Sequence, residues 1–419
     1  MERSRYFHLV LVTFLLTFAG GPLRAQETLT LDQALARALR ESPRVRALYE
    51  KSRAAHARIQ QAEAWDDPVF AFEFYSTPIM SLNPFKDGLE NDYSLQQMIP
   101  FPGKKALMGE MAGAGSRMAT FDTETARRDV AMKVTESYGM AWSAQRRLEV
   151  LRESGLLLRR MRESAGSAYA TGRGSPLEVL RFDLENERLA NDSAAAVAEL
   201  EGALAMLDAA CGAPPSAIRP ILARPPEIQL PASAEDAVET AMIQRPELAG
   251  MQIERGMYGT EAAMWRREMF PDFMIRAMYK EMRFGMHDSW SLMAGINIPI
   301  APWASGKYTG RIEEAEARIR ATEADIADMR AMIAAEARER WVAVRSLQSR
   351  LARVRNAMLP LAAQTIDVLL PRLQSGTAEY VAVLDAFRMS AMTRMEEAML
   401  EGELTAAIGR LARAMGVQP

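Results

Sequence analysis

A single cysteine, Cys211, occurs in 419 residues. A lone thiol excludes an internal disulfide and leaves no cysteine for acylation at a processed N-terminus, so packing must hold the chain together. Histidine is nearly as scarce. Of three, His56 and His287 lie in the body of the chain, and neither stands in a metal-ligand or triad-like motif. Long hydrophobic runs are missing as well: after residue 25 no window offers the roughly 18 consecutive apolar residues of a membrane-spanning helix. Any passage through a membrane must then be made by β-strands. Positive charge is not in excess either. The formal net charge is −3, and removing residues 1–25, with their three Arg and one Glu, takes it to −5. A mildly acidic chain of this kind is not expected to bind nucleic acid.

What is present begins with Arg3 and Arg5, then an apolar run from Leu9 to Ala19 interrupted by Thr13 and Thr17, then Gly20, Gly21 and Pro22, with Ala25 before Gln26. This pattern predicts a signal peptide over residues 1–25, since the run falls far short of the roughly 20 residues that cross a bilayer. Hydrophobic residues at 49% and charged residues at 25% are ordinary for a folded protein, which argues against disorder and against a polytopic helical membrane protein.

Residues 26–419 read as a single domain written as two repeats, about 30–213 and 233–417. Sliding the sequence by 203 residues superimposes Ala34 on Ala237, Ala38 on Ala241, Pro43 on Pro246, Pro68 on Pro271 and Phe70 on Phe273. The same register carries Gly103-Lys104 onto Gly306-Lys307 and Gln145 onto Gln348. A one-residue shift then brings Gly172 to Gly376. Each unit predicts a helix from Leu31 or Asp236, broken at Pro43 or Pro246 and resumed to Trp65 or Arg267. Two strands follow. In the first pair, Phe70, Phe72 and Phe74 alternate with Ala71 and Glu73; in its counterpart Phe273, Ile275, Ala277 and Tyr279 alternate with Met274, Arg276, Met278 and Lys280. The second strands are Tyr93 to Ile99 and Trp290 to Ile298, where Trp290, Leu292, Ala294 and Ile296 oppose Ser291, Met293, Gly295 and Asn297.

Long helices fill the rest. No proline interrupts Pro102 to Pro176, Pro302 to Pro360 or Pro371 to Pro419, and Ile312, Ile319, Ile326 and Ile333 with Ala315, Thr322 and Met329 form a heptad. A 60-residue helix would run on the order of 90 Å. The expected fold class is therefore mainly α with a small β part. Four short strands cannot close a barrel, and open edges are costly in lipid, so oligomerisation is implied; closure permits either eight or twelve strands. Candidate lumen-facing residues are Glu73, Arg276, Ser291, Met293 and Asn297.

These marks resemble the TolC family of outer-membrane efflux factors: the Ala-x3-Ala segments before Pro43 and Pro246, the strand-opening Pro68 and Pro271, and the strand-to-helix turn Gln97 to Lys104 with its counterpart Ile298-Pro299 to Gly306-Lys307. The turns Thr171-Gly172-Arg173-Gly174-Ser175 and Ser375-Gly376-Thr377 complete the pattern. The resemblance implies a homotrimer in which four strands per chain make a 12-stranded transmembrane β-barrel in outer-membrane lipid, continued by coiled-coil helices forming an α-barrel in the periplasm. It implies that Gly172, Arg173, Gly174, Ser175, Gly376 and Thr377 form the tips that meet a periplasmic adaptor (membrane fusion) protein, itself joined to an inner-membrane efflux pump. Of the family's gate residues, an Arg and two Asp, only Asp385 has a match; Ala378 and Ala382 occupy the other places.

The implied function is a passive exit duct. Abundant Met, 28 in all with ten between Met242 and Met293, and a Met-Ile-Pro-Phe-Pro-Gly-Lys turn similar to heavy-metal efflux ducts, make copper, silver or another heavy metal one expected cargo, with organic toxic compounds an equal alternative. Met is also a flexible core filler. No cofactor, metal site or catalytic cluster is expected. Gly172-Arg173-Gly174 joins two helices and is read as a turn, not a phosphate loop. A soluble periplasmic coiled-coil scaffold or adaptor is the rival reading; it accounts for export and helices but not for four amphipathic strands.

Overall fold

A computed structural model describes residues 28–214, 221–283, 285, 287–299, 303, 305–375, 377 and 379–418. The predicted signal peptide and Gly376 lie outside the described residues. The elements run β1 (Thr28–Leu29), α1 (Leu31–Glu41), α2 (Pro43–Glu63), β2 (Val69–Tyr75), α3 (Pro84–Asp87), β3 (Glu90–Ile99), α4 (Lys104–Ala170) and α5 (Pro176–Ala210). They continue with β4 (Ile221–Leu222), α6 (Ala234–Gln244), α7 (Pro246–Glu268), β5 (Phe273–Met282), β6 (Ser289–Ile296), α8 (Ser305–Arg353), α9 (Leu359–Gln374) and α10 (Tyr380–Met415). The chain is mainly helical, as its sequence pattern predicts, and the helix pairs broken at Pro43 and Pro246 fall where expected. Each proline sits at the first helical position, and the residue before it, Ser42 or Arg245, is extended. Proline's ring disfavours the helical region for the preceding residue, which ends one helix and restarts the next.

Two compact units are formed. The first gathers the described residues up to Arg40, Lys133–Ile228 and Leu347–Ala406. Its core joins Leu158, Met161, Ala165, Phe182, Leu373, Val383, Leu384 and Phe387. Further along, Leu148, Leu151 and Ala196 form a second cluster, and Leu351, Val354 and Leu400 a third. A five-residue π-helical segment, Val354–Met358, precedes Pro360. It widens the helix just upstream of the proline, so the chain passes Pro360 without a break. The parallel bridge β1–β4 is fastened by Tyr138, fully buried, whose hydroxyl hydrogen is shared between the Leu29 carbonyl at 2.8 Å and the Ala223 carbonyl at 2.7 Å. Burial pushes this phenol up to about 12. Tyr138→Phe is expected to cost ~1–2 kcal/mol through loss of that buried donor, read as a lowered thermal midpoint at neutral pH.

The second unit holds Glu41–Met132, Gln229–Ser346 and the described residues from Ala407. Here the predicted heptad is realised: Ala315, Ile326 and Ile333 are buried, and Ile333 packs with Ala337, Ala241 and Leu248. The end of α10 is tied down by charge. Arg413 reaches Asp129 at 2.6 Å and Glu247 at 2.7 Å, and Arg128 Nε donates to the Gly416 carbonyl at 2.6 Å. This unit also carries the four-stranded antiparallel sheet, in the order β2-β3-β5-β6.

Candidate functional site

The sheet's two faces have opposite chemistry, and the register shows why. Phe72 pairs with Tyr93, Tyr93 with Tyr279, and Tyr279 with Trp290, so one row of aromatics crosses all four strands. Phe72 and Tyr93 meet edge to face at 5.6 Å between centroids. The next row on the same face is Phe70, Leu95, Ala277 and Leu292, and further on come Ile99, Phe273 and Ile296. Tyr93 and Ile99 are half-buried, and most of the rest is uncovered: Trp290 is 79% exposed, Leu292 66% and Ile296 60%. From Tyr279 to Phe273 is six residues, ~20 Å of strand, close to the ~25 Å apolar band of a membrane barrel.

The opposite face carries Glu73, Asp92, Ser94, Gln96, Arg276, Lys280 and Ser291. Arg276 Nε donates to Gln96 Oε1 at 2.9 Å, and Lys280 pairs with Glu90 and, at 3.3 Å, with Asp92. The structure brings Arg276 opposite Met293 and Glu73 opposite Asp92, all on this polar face. Asn297 lies past the end of β6, which stops at Ile296 and not at the predicted Ile298. Its side-chain Oδ1 accepts from the Asp272 N–H, and its backbone N–H donates to the Asp272 carbonyl at 3.2 Å, so it clasps the start of β5. Met98, Met274, Met278, Met282 and Met293 also project on the polar side, with Met98 directly opposite Met274.

The first helical tip is built from two caps. Gly172, at φ +74°, donates to the Tyr169 carbonyl, and Arg173 N–H to the Ala168 carbonyl, both at 2.9 Å. That pair of bonds closes α4 in a Schellman motif, which requires the left-handed conformation glycine adopts without strain. Ser175 then caps α5 in a box with Glu178, and Pro176 takes the first helical position. Gly174 is needed for space, since a Cβ there would lie 3.0 Å from the Tyr169 nitrogen. At the second turn, Thr377 N–H reaches the Arg372 carbonyl at 2.9 Å and the Ser375 and Thr377 hydroxyls lie 2.9 Å apart. Arg173 and Thr377 are exposed, and so are Leu177, Leu180 and Leu184, which recur at i, i+3 and i+7 on α5.

Asp385 is also exposed, its carboxylate 3.8 Å from Arg388 of its own helix. The stronger contact was not evident in the sequence: Arg388 grips Glu185 with both ends of its guanidinium, Nε to Oε1 at 3.0 Å. Nothing local announces it, because the partners come from helices far apart in the chain. The Arg388 hydrogen bonds hold Glu185 below the usual carboxylate range, and they outweigh burial, which pushes it up. A depressed carboxylate stabilises the fold fully above its ordinary value, 4.5, and that contribution is lost as pH falls through the depressed value. Arg388→Met should therefore flatten the acid side of the stability profile, checked by thermal unfolding between pH 7 and pH 3.

Residues 237–417 match the model of the outer membrane efflux protein family. This stretch, somewhat less than half of the chain, is similar to that family. The fold of the whole chain is that of solved outer-membrane channels. OprN aligns with TM-score 0.75 at 19% identity, covering 93% of this chain and 91% of its own. CusC aligns with TM-score 0.75 at 17% identity, covering 92% of each chain. The open state of MtrE from Neisseria gonorrhoeae aligns with TM-score 0.74 at 14% identity, covering 93% of this chain and 89% of its own. No curated protein sequence matches. The efflux family's TolC-like architecture, expected from the order of prolines and glycine turns, is the one observed. Among the described residues no helix is long and apolar enough to cross a membrane, and no group of three His, Cys, Asp or Glu is placed to hold a metal.

Proposed function

We propose that this protein is a channel subunit, three copies of which close a 12-stranded barrel and a helical tunnel through which cargo leaves the cell passively. The observation that carries the reading is the sheet: a largely uncovered aromatic and aliphatic face, a charged opposite face, and two edge strands, β2 and β6, each paired on one side only among the described residues. In water such a face is a liability. In lipid it is a barrel exterior, and the edges find partners only if the sheet closes on further copies. Glu73, Arg276, Ser291 and Met293 then line a watery lumen, and Asn297 guards its inner rim. The protein resides in the outer membrane and extends into the periplasm. Residues 26–419 act as one domain of two repeats, exported by a signal peptide over residues 1–25.

The turns at Gly172 to Ser175 and at Gly376 and Thr377 form the inner ends of the tunnel and receive the hairpins of a periplasmic adaptor, which couples the duct to an inner-membrane pump. The exposed Leu177, Leu180 and Leu184 stripe offers that adaptor an apolar helix face. Asp385 contributes to a periplasmic gate. The duct itself performs no chemistry. Copper or silver is the cargo favoured by Met98, Met274, Met278 and Met293, which stand on the water-facing side of the sheet, where Met is not filling a core.

The test is oligomer mass and conductance. Outer membranes extracted in detergent should yield a trimer by detergent-corrected light scattering and stepwise ion currents in a planar bilayer. A soluble periplasmic monomer would instead favour the scaffold reading. A deletion strain sensitised to silver but not to organic toxins supports the metal cargo; the reverse pattern overturns it.

A further inference from the structure

At the seam between β3 and β5, a buried cation locks strand to helix. Lys104 opens α4 and is 2% exposed, with Nζ 2.8 Å from Asp272 Oδ1 and 3.2 Å from Glu268 Oε2. These acids flank Pro271, which opens the neighbouring strand, and Asp272 Oδ1 also accepts the Phe101 N–H at 2.7 Å. Phe270 stacks on Phe101 at 4.8 Å beside them. The lock thus fixes where one strand ends and the next begins.

Lys307 follows Gly306 as Lys104 follows Gly103, 203 residues later, and it lies in the first turn of α8 after β6, as its third residue where Lys104 is the first of α4. β6, however, is an edge, so among the described residues no strand opens beside it. Lys307 is exposed, and its ammonium lies 5.3 Å from the Tyr308 ring centre. The other edge is β2. Its opening proline, Pro68, is preceded by Asp66 and Asp67, both exposed. Asp66 is 3.4 Å from Lys105, while Asp67 meets no cation among the described residues.

Register selects between the acids. Phe70 pairs with Leu95, but Phe273, 203 residues on, pairs with Ile296 and not with Ile298. β6 is therefore set two residues lower than β3 relative to its hairpin partner. Without that offset the counterpart of Asp272 is Val69. Carrying the same stagger across a closed seam moves the position facing Lys307 two residues earlier, to Asp67.

Resting on the closed-ring reading of the sheet, we propose that Lys307 pairs with Asp67 of the adjacent copy, the intermolecular counterpart of the Lys104 lock, and so sets the register in which copies join. A second copy of this chain is the partner. An ammonium suits this role because its flexible four-carbon stem tolerates the acid's change of place across the proline. Without such a marker a slip of one residue along the seam would turn β2's apolar face inward.

The experiment treats outer membranes with a water-soluble carbodiimide, which joins touching ammonium and carboxylate groups as an amide with loss of water. Covalent dimer and trimer should contain a peptide linking Lys307 to Asp67, absent from the monomer band. Lys307→Arg keeps the charge but cannot couple, so it should lose that link while light scattering still gives a trimer. Lys307→Glu and Asp67→Lys should each lower the temperature at which the trimer dissociates, and the double exchange should restore it. An intact trimer without the link, or a double exchange no better than either single change, overturns the pair alone. A protein that is monomeric in the membrane overturns the closed-ring reading and the pair together.

Discussion

Leu292→Arg is expected to cripple assembly while Ser291→Arg, one residue away, leaves it nearly intact. The two positions are neighbours in β6 and project on opposite faces: Leu292 extends the row of Phe70, Leu95 and Ala277, and Ser291 lies opposite Met278 on the polar side. Leu292 is 66% exposed in the single chain, and for a surface bathed in water such a change is worth within about 0.5 kcal/mol. Against lipid the same guanidinium costs ~2–4 kcal/mol near the bilayer midplane. At 1.4 kcal/mol per tenfold, that is a roughly 30- to 700-fold fall in the folded-to-unfolded ratio for each subunit. Denaturant titration of folding into lipid vesicles reads it directly. Equal behaviour of the two variants would show that neither face meets lipid.

Gly402→Ala should destabilise the first unit strongly for an addition of one methyl group. There α10 meets α4 at Gly402 and Gly139 with backbone nearly touching. A Cβ on Gly402 would stand 2.6 Å from the Gly139 carbonyl oxygen and 2.6 Å from Ser143 Cβ; one on Gly139 would stand 2.5 Å from the Gly402 oxygen. Backbone cannot swing aside as a side-chain tip can, so the helices must separate and take their packed neighbours with them. Overpacking of this kind costs ~1–3 kcal/mol, with the upper end expected where the obstruction is backbone. Gly202→Ala is the control of opposite sign. It lies inside α5 with no atom within 4 Å of its added Cβ, so it should gain ~0.5–1 kcal/mol from helix propensity. Thermal unfolding of both variants in one detergent decides the matter. A neutral Gly402→Ala would mean that the helices do not approach this closely.

The legible parts of this protein are those governed by local rules. Pro43 and Pro246 announced helix restarts because a proline restricts the residue before it, and the strands declared themselves because a two-residue period cannot be mistaken once Phe alternates with Ala and Glu. Even the tip at Gly172 was readable as a turn, although its purpose in forming a Schellman cap was not. The Gly139–Gly402 contact was invisible. A glycine inside a helix looks like a weak spot until the other helix is known. The Arg388–Glu185 clasp is hidden for a related reason: charged residues on long helices are usually solvated, and nothing in the sequence sets this pair apart from the others.

Sequence alone determined the succession of broken helix, strand pair and long helices in each repeat, and the two faces of β2, β5 and β6, all of which follow from short-range sterics and periodicity. Tertiary structure decided which strands are neighbours and by how many residues they are offset. It also aligned Phe72, Tyr93, Tyr279 and Trp290 in one row, buried Lys104 between two acids, and left β2 and β6 as edges. Pairing depends on contacts between residues up to two hundred positions apart, and no local preference encodes which of several equally alternating strands, or which stagger, buries the most and leaves the fewest backbone groups unpaired.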